Sequence, residues 1–180
     1  MITENNVRYV RRQIEMFCKN GDFIIDATAG NGNDTLYLAE KFPCSIVTAF
    51  DVQEQAIENT KKRCAHLNNV QYVLDSHANV DLYASEGVGL AIFNLGYLPN
   101  ADKIITTRAD STIESVTKIL PMLKVGGAIV ITLYRGETNL AETELVMEYL
   151  RTINKDFYIV SMYDLINLKG NPFNVIIERK

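Results

Sequence analysis

An acidic residue and two glycines stand close together near the start of the chain, where they could form a ligand site. The acid is Asp26, which ends an apolar run at residues 23–25, and the glycines are Gly30 and Gly32. Glycine permits positive φ and lets a ligand approach the backbone closely. A helix-like segment from Asn33 would then offer unpaired backbone N–H groups to that ligand. The pattern predicts a strand, a glycine turn and a helix start that together bind a small molecule.

The spacing of this motif fits a sulfonium methyl donor better than a dinucleotide. A dinucleotide fingerprint has a further glycine three residues after the second, and this chain has Thr35 there. The carboxylate of Asp26 would repel a pyrophosphate but could pair with an ammonium group. S-adenosylmethionine carries an ammonium group and no phosphate, which favours it over NAD. The alternative is that Asp26 only caps a turn that the glycines shape.

Polar residues at the ends of two later apolar runs extend this prediction to an adenosine-type ligand. Asp51 ends the run at residues 45–51, about 20 residues after the glycines, where an acid can accept both ribose hydroxyls. NAD sites use the same contact, and Asp51 could equally be a helix N-cap. Ser76 and His77 follow a third run at residues 69–75 and could contact the adenine edge.

A fourth apolar run, residues 88–94, ends in an amide that an aromatic residue follows. Asn94 and Leu95 can offer carbonyl oxygens to the N–H groups of a nitrogen nucleophile. Tyr97 can stack on a base or stabilise a cation. The alternative is an aromatic turn around Gly96. Because the segment follows the fourth strand of the same predicted sheet, we predict that Asn94 and Tyr97 are catalytic. No dedicated general base is evident.

The predicted cofactor is S-adenosyl-L-methionine. Asp26 is the predicted partner of its ammonium group, and residues 30–34 are predicted to enclose its methionine part, while the later strand ends hold the ribose and the adenine. The complete set of predicted cofactor-binding residues is Asp26, Gly30, Asn31, Gly32, Asn33, Asp34, Thr35, Asp51, Gln53, Ser76, His77 and Asn94.

The composition is typical of one globular domain. The 180 residues are 47% hydrophobic and 22% charged, and the net charge of -4 argues against a general DNA coat or a membrane-surface protein. The three cysteines and two histidines are scattered, which favours reduced thiols and no metal site. No signal peptide or membrane-spanning run is evident. We therefore expect a single cytoplasmic domain over residues 1–180, without membrane or metal partners.

The hydrophobic pattern predicts an α/β fold: a Rossmann-like, doubly wound, seven-stranded sheet that is mostly parallel. A short connection between the last two strands predicts a C-terminal β-hairpin with one antiparallel strand, as in class I methyltransferases. A capping-box signature at Ser111 and Glu114 predicts a helix start, and residues 125–127 predict a turn before the fifth strand. The predicted strands are 23–26, 45–51, 69–75, 88–94, 128–134, 157–162 and 174–178, and the predicted helices are 4–19, 33–41, 53–64, 111–123 and 140–151.

The N-terminal helix, within residues 1–20, is predicted to be amphipathic. Its polar face carries Arg8, Arg11, Arg12 and Lys19. This face is either a solvated surface or a small phosphate-contacting patch beside the site.

Over nearly its whole length the chain resembles the YtqB/MnmM-type class I S-adenosylmethionine-dependent methyltransferases, often labelled rRNA methylases. The resemblance lies in residues 26–35, 50–53, 76–77, 93–99, 111–113 and 171–173, of which the NLGYLP segment at 94–99 is the most specific. It implies methylation of the aminomethyl nitrogen of 5-aminomethyl-2-thiouridine at the tRNA wobble position. A homodimer is one way for so compact a domain to grip a tRNA.

The RNA-facing residues that the resemblance implies are Tyr97, Tyr134 and Arg135. In the family, histidine typically follows the tyrosine at position 134, so the role of Arg135 is open. Other functions also stay open: an rRNA methyltransferase, a small-molecule amine N-methyltransferase, which the acidic charge favours, and a non-catalytic S-adenosylmethionine-binding protein. A nicotinamide dehydrogenase is disfavoured by Thr35.

Overall fold

The apolar runs of the sequence form the strands of a single sheet. A computed structural model of the chain describes residues 6–95, 108–135, 140–168 and 170–180. Within these ranges the strands are β1 (Phe23–Asp26), β2 (Ile46–Asp51), β3 (Val70–Leu74), β4 (Val88–Asn94), β5 (Leu123–Leu133), β6 (Tyr158–Tyr163) and β7 (Phe173–Arg179). The helices are α1 (Asn6–Phe17), α2 (Asn33–Lys41), α3 (Glu54–Arg63), α4 (Ala109–Met122) and α5 (Leu140–Thr152), with a 3-10 helix at His77–Leu82.

The strand order is β3-β2-β1-β4-β5-β7-β6. Strands β1 to β5 pair in parallel, and β7 is antiparallel to both of its neighbours, β5 and β6. The fold class predicted from the sequence is therefore confirmed, including the reversed strand of the C-terminal hairpin. The strand order changes direction between β1 and β4, so the crevice that binds ligands in open α/β sheets lies outside the carboxyl ends of these two strands.

The core lies on both faces of the sheet because the strand residues alternate between them. Ile25 and Phe93 pack on one face against Val116 of α4, whereas Ile24 packs on the other face against Ile14 of α1 and the apolar side of α2. Among the helices in the described ranges, none is long and apolar enough to cross a membrane.

Three elements, β1, α2 and β4, have the predicted limits, and most other limits differ by one or two residues. The capping-box prediction is wrong. Helix α4 begins at Ala109, with Arg108 as its N-cap residue and no side-chain cap. Ser111 therefore lies in the first turn, where its hydroxyl donates to the Arg108 carbonyl at 2.9 Å. Hydroxyl bonding back to a nearby carbonyl is a common alternative to capping.

The predicted turn at residues 125–127 lies inside β5, which begins at Leu123 rather than at Ala128. Its pairing with β4 is irregular there, because Val88 pairs with Leu123 and Leu90 with Ala128. Gly126 adopts a φ of 75° inside the strand. A Cβ on Gly127 would lie 2.8 Å from the Val88 carbonyl oxygen, so only glycine permits this approach of β5 to β4. The glycines therefore shape an irregular strand rather than end it.

Candidate active site

Asp26 lies beneath the glycine turn rather than on its surface. Its side chain is 0% exposed. One carboxylate oxygen accepts from the Thr28 backbone N–H at 3.2 Å and the other from the Thr35 hydroxyl at 2.6 Å. Burial, and then the nearby Asp34 carboxylate, raise the pKa of Asp26 to about 7. The carboxylate thus joins the end of β1 to the first turn of α2. In this arrangement it is not open to the ligand ammonium group that the sequence pattern assigns to it.

The glycine turn adopts the left-handed conformation that the sequence predicts. Gly30 has a φ of 53°, and Gly32, the N-cap residue of α2, has a φ of 76°. A Cβ on Gly32 would lie 2.8 Å from the Thr60 Cα, so glycine also allows α2 to pack closely on α3. No side chain caps α2. The N–H groups of its first turn, from Asn33 onward, have no partner within the helix, so they can receive an anionic group at the turn.

Helix α3 holds the outer side of the turn through contacts that the sequence analysis missed. The Asn59 amide donates to the Asn31 side-chain oxygen at 2.9 Å, and the Arg63 Nε donates to the Asn31 carbonyl at 2.6 Å. The Thr60 hydroxyl lies 3.3 Å from the Gly30 carbonyl. Residues 59, 60 and 63 share one helix face. The recurrence of polar residues at this helical spacing is the signal that could have identified them.

Asp51 is fixed by two backbone groups at the end of β2. Its carboxylate oxygens accept from the Gly30 N–H and the Gln53 N–H, both at 2.9 Å. The N-cap residue of α3 is Gln53, so the alternative of Asp51 as the N-cap is wrong. Both Asp51 and Gln53 are half-buried. The remaining lone pairs of the oriented carboxylate suit the two hydroxyls of a ribose.

His77 is buried rather than open to a ligand edge. Its side chain is 8% exposed, its Nδ1 lies 2.9 Å from the Ala27 carbonyl oxygen, and its ring meets the Phe93 ring edge to face. Burial lowers its pKa, so the ring is neutral at pH 7. Its Nε2 has no hydrogen-bond partner among the described residues. Ser76 caps the 3-10 helix by accepting from the Ala78 N–H at 3.2 Å. Both residues therefore shape the loop after β3.

Asp75 organises the same loop and is absent from the predicted set of site residues. Its carboxylate accepts from the Asn79 amide and the Tyr83 hydroxyl, each at 3.0 Å. The Asn79 hydrogen bond, followed by the Ser76 N–H, holds the pKa of Asp75 below its usual range. The sequence could have identified Asp75 as a site residue, because it ends the third predicted strand just as Asp26 and Asp51 end β1 and β2.

Asn94 connects three strand ends and the glycine turn. Its backbone N–H donates to the Thr28 hydroxyl at 2.8 Å. Its side-chain nitrogen lies 3.4 Å from an Asp34 carboxylate oxygen, and its side-chain oxygen accepts from the Tyr134 hydroxyl at 2.9 Å. Burial raises the pKa of Asp34, while Asn94 and Arg11 partly oppose that shift. Three predicted site residues, Asp34, Asn94 and Tyr134, are thus brought into one chain of contacts.

Arg135 is held by other side chains of the protein. Its guanidinium group donates two hydrogen bonds to Asp164, at 2.9 Å and 2.7 Å, and lies 4.4 Å from the centre of the Phe173 ring. The Asp164 carboxylate raises the pKa of Arg135 further. The pair ties the end of β5 to the connection between β6 and β7. Tyr97, the other predicted catalytic residue, lies outside the described residues.

Helix α1 borders this site. The Arg11 guanidinium lies 4.4 Å from the centre of the Tyr37 ring on α2, and its charge acts on Asp34. Tyr9 stacks on Tyr163 of β6, with ring centres 3.7 Å apart. The basic face of α1 is thereby placed beside the carboxyl ends of the strands. In the described ranges, no three His, Cys, Asp or Glu side chains form a group that could hold a metal ion.

Comparison with known proteins places this arrangement in a family. Residues 47–179 match the model of the family described as "Putative rRNA methylase". A relative from Arabidopsis thaliana, "tRNA (mnm(5)s(2)U34)-methyltransferase, chloroplastic", is 34% identical over 186 residues, which cover 92% of this chain and 66% of that protein. This chain therefore spans just under two thirds of the relative's length.

Two solved structures resemble the whole chain. The "putative rRNA-methylase" from Clostridium thermocellum is 38% identical, with a TM-score of 0.95 and 100% of both chains covered. A "putative methyltransferase" from Streptococcus mutans in complex with SAH is 32% identical, with a TM-score of 0.91 over 99% of this chain and 100% of that one. The sequence resemblance is confirmed, and the chain belongs to the rRNA methylase family of class I methyltransferases.

Proposed function

We propose that this protein is an S-adenosyl-L-methionine-dependent tRNA methyltransferase that methylates the aminomethyl nitrogen of 5-aminomethyl-2-thiouridine at the wobble position. The observation that carries the proposal is the position of Asn94, between Asp34 at the glycine turn and Tyr134 at the end of β5. A neutral amide and a carboxylate there suit a nitrogen nucleophile. The name of the Arabidopsis thaliana relative supports the substrate.

The donor set at the strand ends fits this cofactor. The turn at residues 30–33 would enclose the methionine part, where the first turn of α2 can receive its carboxylate. Asp34, which the sequence pattern also assigns to the cofactor, faces Asn94 instead. Asp51, oriented by two backbone N–H groups, would accept the ribose hydroxyls with Gln53 beside it. The loop at Ser76 and His77 would border the adenine. When bound, the cofactor supplies a methyl group that its positively charged sulfur has already activated, so the proposal requires no metal.

Asp26 takes a different role in this proposal from the one the sequence pattern assigns. Its two hydrogen bonds, to Thr28 and Thr35, hold the glycine turn in place. The buried carboxyl group of Asp26 would still lie beneath the methionine part of the cofactor. Through these two hydrogen bonds, Asp26 fixes Thr28 and Thr35, and thereby the intervening turn residues that would contact the ligand.

The side chains at the end of β4 would orient the acceptor amine. Asn94 offers its side-chain oxygen, which the Tyr134 hydroxyl holds in place, and its own side-chain nitrogen faces Asp34. Alignment of the reacting atoms accounts for roughly 7–11 kcal/mol of barrier lowering in favourable intramolecular reactions. Positioning is therefore the main contribution of these residues to methyl transfer. Tyr97 is proposed to act beside Asn94, as the sequence pattern predicts.

The RNA face would include Tyr97, Tyr134 and Arg135, together with the basic side of α1. Arg8 and Arg12 are exposed on that side. Arginine contacts to phosphate oxygens position an RNA without reading its sequence. Since both terminal nitrogens of Arg135 donate to Asp164, we propose that Arg135 shapes this face rather than binding a phosphate through those two atoms. We further propose a cytoplasmic enzyme that acts as a homodimer on tRNA.

A direct experiment supplies the protein with labelled donor and each class of acceptor. We expect label in tRNA that carries 5-aminomethyl-2-thiouridine, and none in rRNA or in a mixture of small primary amines. Nucleoside mass spectrometry should identify 5-methylaminomethyl-2-thiouridine. Label in rRNA or in small amines alone would instead support the corresponding alternative.

A matched variant separates catalysis from simple binding of the cofactor. Asn94→Ala should abolish turnover and leave the donor affinity, measured by calorimetry, within about threefold of wild type. Thr117→Ala, on the exposed side of α4, is the control for a small polar substitution away from the site. Unchanged turnover in Asn94→Ala would remove Asn94 from the mechanism, and donor binding without any methyl transfer by the wild type would support a non-catalytic binding protein.

A further inference from the structure

We propose that Asp34 is a catalytic residue that binds the acceptor amine as an ammonium ion and takes its proton before methyl transfer. The inference rests on the proposed function and assigns the proton-accepting group, for which the sequence shows no dedicated candidate. Asp34 stands in the first turn of α2, half-buried, and one of its carboxylate oxygens lies 3.4 Å from the Asn94 side-chain nitrogen.

The other acids around the crevice are engaged elsewhere. Asp26 is fully buried, and both of its oxygens accept hydrogen bonds. Both oxygens of Asp51 accept backbone N–H groups on the β2 side. Asp164 forms a two-point ion pair with Arg135. Among the described acids, Asp34 is thus the one whose carboxylate faces the amide at the end of β4.

The contact with Asn94 places Asp34 on the acceptor side of the site. The same amide accepts a hydrogen bond from Tyr134, which ties Asp34 through Asn94 to the end of β5. The Asn94 side chain thus lies between the Asp34 carboxylate and the Tyr134 hydroxyl, and we place the acceptor amine beside this side chain, within reach of Asp34. A carboxylate stabilises an adjacent ammonium ion, so the same group that takes the proton also favours an amine over an uncharged acceptor.

The charges that face Asp34 suit a proton acceptor. Arg11 on α1 favours its ionised form, and the Asp34 carboxylate in turn raises the pKa of Asp26 beneath it. Asn94 on β4 is neutral. Burial nevertheless raises the pKa of Asp34 above its ordinary value, which makes the carboxylate a stronger base. Its partial exposure gives the proton a route to water afterwards.

In the proposed reaction, the acceptor nitrogen first loses a proton and then gains the methyl group. An alkyl ammonium group has a pKa of about 10.4 in water, so the acceptor is protonated at neutral pH and has no free lone pair. Its N–H bond breaks, the proton passes to Asp34, and the electron pair stays on nitrogen. That pair forms the new N–C bond while the methyl–sulfur bond breaks and its electrons go to sulfur. The nitrogen ends as a secondary ammonium ion, and Asp34 releases its proton to water.

The test compares wild type, Asp34→Asn, Asp34→Glu and Asp110→Asn in single-turnover methylation of tRNA between pH 6 and 9. Asp110 is the matched control because it is an exposed acid in the first turn of α4. Removal of a general base typically costs about 10²- to 10⁴-fold in rate, so Asp34→Asn should be at least about 100-fold slower at pH 7. Its rate should rise about tenfold per pH unit as the amine loses its proton in solution. Asp34→Glu should recover part of the rate, and Asp110→Asn should match wild type.

Binding measurements separate this role from a contact to the donor. Asp34→Asn should bind SAH within about threefold of wild type, but it should lose most of the preference of the wild type for a stem-loop RNA with the aminomethyl group over one without it. A wild-type rate for Asp34→Asn at pH 7, or a loss of SAH affinity above tenfold, would overturn the assignment of Asp34. If the wild type itself methylates no tRNA amine, the proposed function fails and this inference fails with it.

Discussion

The Tyr134 hydroxyl donates a hydrogen bond to the Asn94 side-chain oxygen over 2.9 Å, which joins the ends of the neighbouring strands β5 and β4. This contact leaves the Asn94 side-chain nitrogen directed at Asp34. The orientation of the amide therefore depends on a group from the next strand. In the proposed function, that orientation decides which atoms of Asn94 meet the acceptor amine.

Removal of the Tyr134 hydroxyl should slow methyl transfer without unfolding the protein. A hydrogen bond between neutral groups contributes about 0.5–1.5 kcal/mol, so Tyr134→Phe should lower kcat by up to about tenfold with a small change in KM. Tyr72→Phe, on β3, is the control for loss of a phenol away from Asn94. A Tyr134→Phe enzyme with wild-type kcat would show that Asn94 is oriented without this contact.

The stability of the protein should depend on the ionisation of Asp26. The folded-state pKa of about 7 is raised above the ordinary value by burial and by Asp34 and Asp51. Since the folded state then holds a proton that the unfolded state has lost, the free energy of unfolding should fall as pH rises from about 4 to 7 and level off above that. Asp26→Asn should remove this part of the slope in urea unfolding measured across the range. Parallel curves for the two proteins would contradict the raised pKa.

Gly32 should tolerate alanine far less well than Gly21. Both residues have positive φ, but a Cβ on Gly21 meets nothing within 4 Å, whereas one on Gly32 would lie 2.8 Å from the Thr60 Cα. Left-handed backbone alone costs a non-glycine residue about 1–2 kcal/mol, and overpacking adds about 1–3 kcal/mol. Thermal unfolding should show that Gly32→Ala is less stable than Gly21→Ala by about 1–3 kcal/mol, the cost of overpacking. Equal losses would mean that α2 and α3 can separate freely.

The basic side of α1 should contribute to RNA affinity and to its salt dependence. Each phosphate contact to a single strand adds about 0.7 to the slope of log affinity against log salt. Arg8→Gln should therefore weaken tRNA binding and reduce that slope by about this amount. Arg151→Gln is the control. Arg151 lies in the last turn of α5, which connects the carboxyl end of β5 to the start of β6 at the opposite edge of the sheet. An Arg8→Gln protein with an unchanged slope would assign α1 to a solvated surface.

The sequence predicts best where an apolar run is bounded by polar residues or glycine. Strands β1 and β4 and helix α2 have their predicted limits for this reason. Since β4 and β5 were predicted to be parallel, the meeting of Asn94 and Tyr134 follows from the topology. The single-domain prediction for residues 1–180, the cytoplasmic location and the homodimer stay predictions.

Other features depend on contacts that no local pattern reveals. Asp26 lies buried beneath the glycine turn, where Thr35 in the first turn of α2 donates to its carboxylate. Arg135 pairs with Asp164, which is 29 residues away in the chain. Gly127 needs to lack a side chain because the Val88 carbonyl oxygen of β4 lies where its Cβ would be. In each case the deciding partner comes from another element of the fold.

The proposed tRNA methylation is tested most sharply by nucleoside mass spectrometry of tRNA from cells with and without this gene. When the gene is deleted, 5-methylaminomethyl-2-thiouridine should disappear and 5-aminomethyl-2-thiouridine should accumulate. Wild-type protein should restore the methylated nucleoside, and Asn94→Ala should not. Unchanged amounts of both nucleosides in the deletion strain would contradict the proposed tRNA methylation.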